Sequence, residues 1–305
     1  MTIKVFIGLV THPSSRYPEA AGPRGLTAQL GASFESSDHA EFNVVLEICA
    51  ENLLESSSLP TDSREVRASI NAELSVESDW RIYLDPEVPR IRLSLLMQAR
   101  KLYRYLKLSP PWKKEVDAED AGPRMLTRLA NIELAHISLL KAAAESQADW
   151  VLILEDDAWV ESPSELSKNL IEFLVQGILP APGVPNRQPA YVNLSESFST
   201  RKLGIEGESS EIGSWGAGSK IFAASKPVTN TVCAILYSRN FVGNLLREFE
   251  SIPIQPVIPI DWKLNKAIMN MYSKGILGVG DCWLVEPAPI VQGSMHAMNH
   301  SKVEK

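Results

Sequence analysis

Trp150-Val151-Leu152-Ile153-Leu154-Glu155-Asp156-Asp157 is the stretch from which the architecture of this chain is read. Its first five residues are apolar without polar alternation, as in a central strand covered on both faces. The run stops abruptly at three acids, which places them at the strand's carboxyl end. Upstream, Leu129, Ile132, Leu134, Ile137, Leu140 and Ala144 form a helical stripe over Thr127–Glu145, with Thr127 as the expected N-cap. Downstream, Ser162–Gln176 reads as a helix, Pro189–Leu194 and Asn230–Tyr237 as strands, and Asn240–Phe249 as a helix. Nearer the start, Lys4–Val10 has the profile of a buried first strand and Glu41–Ala50 that of a second. Strand and helix alternate, so an α/β fold with a mostly parallel sheet flanked by helices is expected. Asp62 to about Lys107 is polar with helical spacing, broken at Pro86 and Pro89, and reads as a helical insertion. Leu179–Pro189 and Pro253–Pro259 are expected loops, and Gly204–Ser219 has the composition of a mobile flap. None of these resembles an interdomain linker, so one domain over 1–305 is expected.

The chain has 305 residues, 45% hydrophobic and 22% charged, which excludes collagen, coiled coil and disorder. Its formal net charge is −7, a sign that does not attract a phosphate backbone and argues against nucleic acid as a partner. Cys49, Cys233 and Cys282 are scattered and odd in number, as expected of reduced thiols in a cytoplasmic protein. The apolar run Val5–Val10 is too short for a signal-peptide core, and no later segment is long enough for a membrane span. Arg100, Lys101, Arg104, Lys107, Lys113 and Lys114 surround Leu102, Tyr103, Tyr105 and Leu106, so either peripheral membrane contact or a solvated helix face fits that segment.

Three successive carboxylates need positive company, because like charges about 4 Å apart repel by roughly 1 kcal/mol in water and by more when desolvated. In extended backbone Glu155 and Asp157 share one face and Asp156 takes the other. Such an acid-x-acid pair can hold a hard divalent cation, and ligands of open α/β sheets bind outside the carboxyl ends of strands. The alternative is an acid-rich helix start leading to Ser162-Pro163. Ala21-Gly22-Pro23-Arg24-Gly25-Leu26-Thr27 returns as Ala121-Gly122-Pro123-Arg124-Met125-Leu126-Thr127. Both copies precede an expected helix, so each is either a diphosphate-binding entry beside an arginine or a plain helix start. No dinucleotide fingerprint or phosphate-loop motif follows the first strand, which excludes dehydrogenase and P-loop readings.

Residues 133 to 160, ELAHISLLKAAAESQADWVLILEDDAWV, resemble the helix–strand–acid unit of glycosyltransferase family 25, which includes lipooligosaccharide and collagen galactosyltransferases. His136 and Leu154-Glu155-Asp156-Asp157 match the family pattern, while Asn131, Ile132 and Ala135 replace its Gly, Cys and Ser. Pro259-Ile260-Asp261-Trp262 resembles its Pro-x-Asp element, and Glu286-Pro287 with Gln292-Gly293-Ser294 its closing strand and glutamine. The matches run from about residue 125 to 295, in order; the first 120 residues match poorly.

The resemblance implies a GT-A type, Rossmann-like fold, with a nucleotide-binding part over about 1–125 and a metal, donor-sugar and acceptor part over about 126–305. It implies transfer of a sugar, most simply galactose, from a UDP-sugar to a glycan or other hydroxyl acceptor, with inversion and with Mn²⁺ or Mg²⁺. Lipopolysaccharide biosynthesis is the implied setting. Glu155 and Asp157 take the metal role, Asp156 either orients the ribose or stands behind the metal ligands, and Gln292 takes the place of the family's closing glutamine. A histidine near the C-terminus often completes such a shell; His296 is preferred over His300, the alternative being a frayed tail. Asp261 is the candidate base, or else an N-cap. His136 is read as structural rather than basic. Trp215 would close over the sugar from the flap, or be an ordinary exposed aromatic. Thr11 and Arg16 are expected at the nucleotide, with Arg24 near the phosphates. Two rival readings use the same residues: a non-catalytic glycan- or partner-binding protein, and a metal-dependent nucleotidyltransferase.

Overall fold

The computed structural model describes residues 2–11, 15, 17–50, 63–108, 115–176, 188–196, 199–216, 218–229 and 231–293. In chain order the elements are β1 (Thr2–Val10), a 3-10 turn (Pro18–Ala21), α1 (Leu26–Glu35), β2 (Glu41–Cys49), α2 (Ser63–Leu84), α3 (Arg90–Leu108) and α4 (Glu115–Ser146). There follow β3 (Trp150–Glu155), β4 (Ala158–Trp159), α5 (Pro163–Gln176), β5 (Tyr191–Asn193), α6 (Thr200–Leu203), β6 (Ser210–Trp215) and β7 (Ser219–Ala223). β8 (Ala234–Ser238), α7 (Arg239–Ser251), α8 (Ile260–Ser273), β9 (Cys282–Glu286) and β10 (Val291–Gln292) complete the order.

An 8-stranded sheet in the order β2-β1-β3-β8-β5-β9-β7-β6 forms the centre. β1 runs parallel to both β2 and β3, and β5 parallel to β9. β8 runs against its neighbours β3 and β5, and β7 against β9 and β6. Six of the eight strands therefore run one way and only β8 and β7 run the other, so the sheet is mostly parallel, as expected, with two reversed strands. A strand buried on both faces has the same apolar pattern in either direction, so periodicity cannot reveal the reversal.

The apolar run at 150–154 is covered on both faces, as expected. Val151 and Ile153 point with Phe6 and Val10 of β1 into a layer closed by α4, α7 and α8 through Leu139, Phe241, Leu245, Leu264 and Ile268. Trp150, Leu152 and Leu154 point the other way, with Ile7 and Leu9, toward Leu30 and Phe34 of α1 and Leu166 and Leu170 of α5. Each buried leucine or isoleucine contributes about 1.5–3 kcal/mol, so the three-layer arrangement follows from the two-faced strands.

The insertion is helical and breaks where the prolines stand: α2 ends at Leu84, and α3 starts after Pro89, whose carbonyl accepts the first helical N–H, from Leu93. Val66, Ile70 and Leu74 of α2 pack with Leu126 and Ala130 of α4 and with Val257 in a small core of their own.

Three expectations fail here. α4 begins at Glu115, so Thr127 lies inside it rather than at its N-cap, and the second copy of the repeat is helix interior whose amides serve the helix. Only the first copy precedes a helix, α1, with Gly25 at the N-cap, where a Cβ would sit 2.1 Å from the Ala20 carbonyl oxygen. The expected flap is instead largely ordered sheet: β6 and β7 form a hairpin whose turn glycines, Gly216 and Gly218, hold φ of 60° and 96°. Glycine and serine there serve a tight turn. Among the described residues, no helix is long and apolar enough to cross a membrane.

Candidate functional site

β3 ends at the rim of the sheet and hands the three acids to a short turn before β4. The backbone fixes that turn from three sides. The Glu155 amide donates to the Cys233 carbonyl at 2.9 Å, the Asp156 amide to the Val10 carbonyl at 3.0 Å, and the Gly293 amide to the Asp157 carbonyl at 2.6 Å. Gly293 is required by the last contact, since a Cβ there would lie 2.9 Å from the Asp157 carbonyl oxygen and 3.6 Å from the Tyr17 hydroxyl. β10 pairs antiparallel with β4, setting half-buried Gln292 opposite Ala158, next to the acids.

The side chains divide as extended geometry anticipates. Glu155, Asp157 and Cys233 each offer a ligand atom, all within 4.8 Å of one another. Asp156 turns toward β1, where the Thr11 hydroxyl donates to its Oδ2 at 2.9 Å. The Cys233 thiol donates to Asp157 Oδ1 at 3.7 Å. Burial first, then the Glu155 and Asp157 charges, push that thiol well above its usual range, so it keeps its proton at neutral pH. A hard ion such as Mg²⁺ or Mn²⁺ would therefore meet carboxylate oxygens first, and the donor set fits such a cation.

His136 lies on α4 with its side chain buried, its Nε2 3.3 Å from Glu155 Oε1. It orients the acid, in keeping with the structural reading of this histidine. Three residues earlier on the same helix, Glu133 forms a fully buried ion pair with Lys263 of α8, whose ammonium also reaches the Pro253 carbonyl at 3.4 Å. α4 thus ties the acid turn to the helix that carries Asp261.

Asp261 sits in the first turn of α8, while Pro259 is the N-cap residue, so the N-cap alternative does not describe it. Its carboxyl is raised from 3.8 to about 7, chiefly by burial, with the Glu73 and Glu155 charges adding to the rise and the Trp262 amide opposing it. Trp262 itself meets Trp80 of α2 edge-on at 5.6 Å. Glu73, also raised by burial, is answered by Arg104 of α3. The charges of Glu73 from the insertion and of Glu155 from the acid turn are thus both felt at Asp261.

The remaining expected residues are not all gathered here. Trp215 is 4% exposed and packs on Phe173 of α5 at 5.4 Å, so it belongs to the core and not to a flap over a sugar. Flanking Gly and Ser suggest a loop in sequence, whereas here they bound a strand whose tryptophan is buried. Arg24 is an exposed turn residue before α1 whose carbonyl accepts from the Gln29 amide side chain. Arg16, His296 and His300 lie outside the described residues. Glu286 caps α6, accepting from the Thr200 amide at 2.6 Å. Sequence reasoning missed Cys233 at the site, because only the reversed direction of β8 brings its leading end to the rim where β3 stops. It also missed Glu73, which arrives from the insertion. No protein-family model and no curated protein matches this chain, so what stands here is the geometry of its own residues.

Proposed function

We propose that this chain is a metal-dependent glycosyltransferase of GT-A type, moving a hexose, by resemblance galactose, from a UDP-sugar to a hydroxyl acceptor with inversion. The carrying observation is the pairing of Glu155 and Asp157 at the carboxyl end of a central strand, together with Asp261, a carboxyl that burial raises to about 7 and that feels the Glu155 charge. In this reading Glu155 and Asp157 hold Mn²⁺ or Mg²⁺, which when bound neutralises the leaving diphosphate. Asp156, steadied by Thr11, meets the ribose, and Gln292 lines the donor side. Asp261 accepts the acceptor hydroxyl proton on its carboxylate while that oxygen bonds to the anomeric carbon. The bond from that carbon to the diphosphate breaks on the opposite face, and UDP departs with the electron pair. A base with a pKa near the working pH is well matched to this task. His136 keeps Glu155 in place and Lys263 keeps α8 in place; neither touches the reacting atoms. Cytoplasm is the proposed setting.

Calorimetry of UDP with Mn²⁺ tests the reading. The wild-type chain should bind UDP in a metal-dependent manner, and Asp157→Ala should weaken it by at least about a hundredfold, the equivalent of roughly 3 kcal/mol. Equal, metal-independent binding in both would remove the site.

A further inference from the structure

α3 turns its apolar side outward. Ile91, Leu95, Leu102 and Leu106 share one side of the helix and are 79%, 66%, 60% and 42% exposed. The fold uses the opposite side: Leu93 is buried, Met97 packs against the small core of α2 and α4, and Arg100 and Arg104 reach back to Glu77 and Glu73. A helix that merely lay on the surface would show polar residues outward. Among the described residues this outer stripe, interrupted by Gln98, stays largely exposed, the kind of patch that marks an interaction surface.

Charge decides what could cover it. The segment Arg90–Leu108 contains no Asp or Glu, although the chain as a whole carries −7. Arg92 is exposed beside the stripe and Arg90 at the helix start, Lys101 lies over the Tyr105 ring at 5.7 Å, and Tyr103 edges the stripe at 63% exposure. A second copy meeting this face about a twofold axis would set cation against cation, with no acid on the helix to answer them. An anionic bilayer answers all three features: acyl chains for the leucines, headgroups for the cations, and the interface for the tyrosine.

We propose that α3 is an interfacial anchor, laying the Ile91–Leu95–Leu102–Leu106 stripe into the surface of an anionic membrane. The anchor rests on the geometry of α3 alone and does not depend on the reaction assigned above.

Flotation with phosphatidylcholine vesicles, with and without phosphatidylglycerol, tests it. The full chain should float with the anionic vesicles and remain behind with the neutral ones. Raising salt from about 0.1 to about 1 M should weaken binding as the Debye length shrinks. Leu95→Gln with Leu102→Gln should reduce partitioning by about tenfold per leucine, and Arg92→Gln with Lys101→Gln by about fivefold per cation. These side chains do not contribute to the cores, so the urea midpoint of each variant should match the parent. Unchanged partitioning of the leucine variant, or no flotation of the parent, would overturn the anchor. So would a parental dimer in sedimentation that dissociates in the leucine variant, which would put a second copy on the stripe instead.

Discussion

Replacing Asp261 by Asn tests the electrostatics of the cleft without changing its shape. In the folded chain the carboxyl is raised from 3.8 to about 7, so the folded state holds this proton more tightly than the unfolded state does. The stabilising contribution is complete below pH 3.8 and is lost progressively as pH rises through about 7. A rise of about three units, at about 1.4 kcal/mol each, corresponds to about 4 kcal/mol between those limits. Asn cannot ionise, so the stability of the variant relative to the parent should grow by about that amount from pH 4 to pH 8. Urea unfolding of both proteins at half-unit pH steps reads this, because titrating groups not coupled to Asp261 cancel in the difference. In the same variant UDP binding should persist while transfer is lost, and parental kcat/KM should rise with pH and level off above about 7. Parallel stability profiles for the two proteins would show that Asp261 is not displaced, and undiminished turnover would exclude it as the base.

Other perturbations probe the supports of the site. Lys263→Met leaves Glu133 buried without its cation and should cost about 3–5 kcal/mol in urea unfolding, most of it recovered when Glu133→Leu is added. Gly293→Ala forces its Cβ against the Asp157 carbonyl and should loosen Mn²⁺-dependent UDP binding by about tenfold or more while leaving the helical circular dichroism unchanged. In a thiol titration of the native chain Cys49 should react first, since Cys233 and Cys282 are buried and their thiols are pushed up, Cys282 to about 12. Rapid labelling of Cys233 before unfolding would contradict its place at the acid turn.

What the sequence revealed and what it concealed have distinct physical causes. The strand at 150–154 was legible because five apolar residues in a row, stopped by charge, leave little else to be. The insertion was legible because Pro86 and Pro89 interrupt a helical period. The acid pair was legible from alternation, which sets Glu155 and Asp157 together and sends Asp156 to Thr11. The start of α4 was not, because Gly122-Pro123 signals an entry and a helix already under way can carry it. The direction of β8 was not, since pattern carries no arrow, and Cys233 was lost with it. Trp215 was misplaced because a hairpin turn and a mobile loop draw on the same small residues. Glu73 and Lys263 act across elements far apart in the chain, where local reading has no reach.

α4 carries Glu133 and His136 one turn apart, the first engaged with α8 and the second with β3. Their spacing works as a ruler. Removing or adding a single residue between them would swing one around the axis by about 100° and pull it off its partner. Point changes at Leu134 or Ala135 keep both in register. Over evolutionary time this short interval should therefore accept altered letters far more readily than an altered length, and a one-residue deletion there should uncouple the two sides of the cleft while each element remains folded.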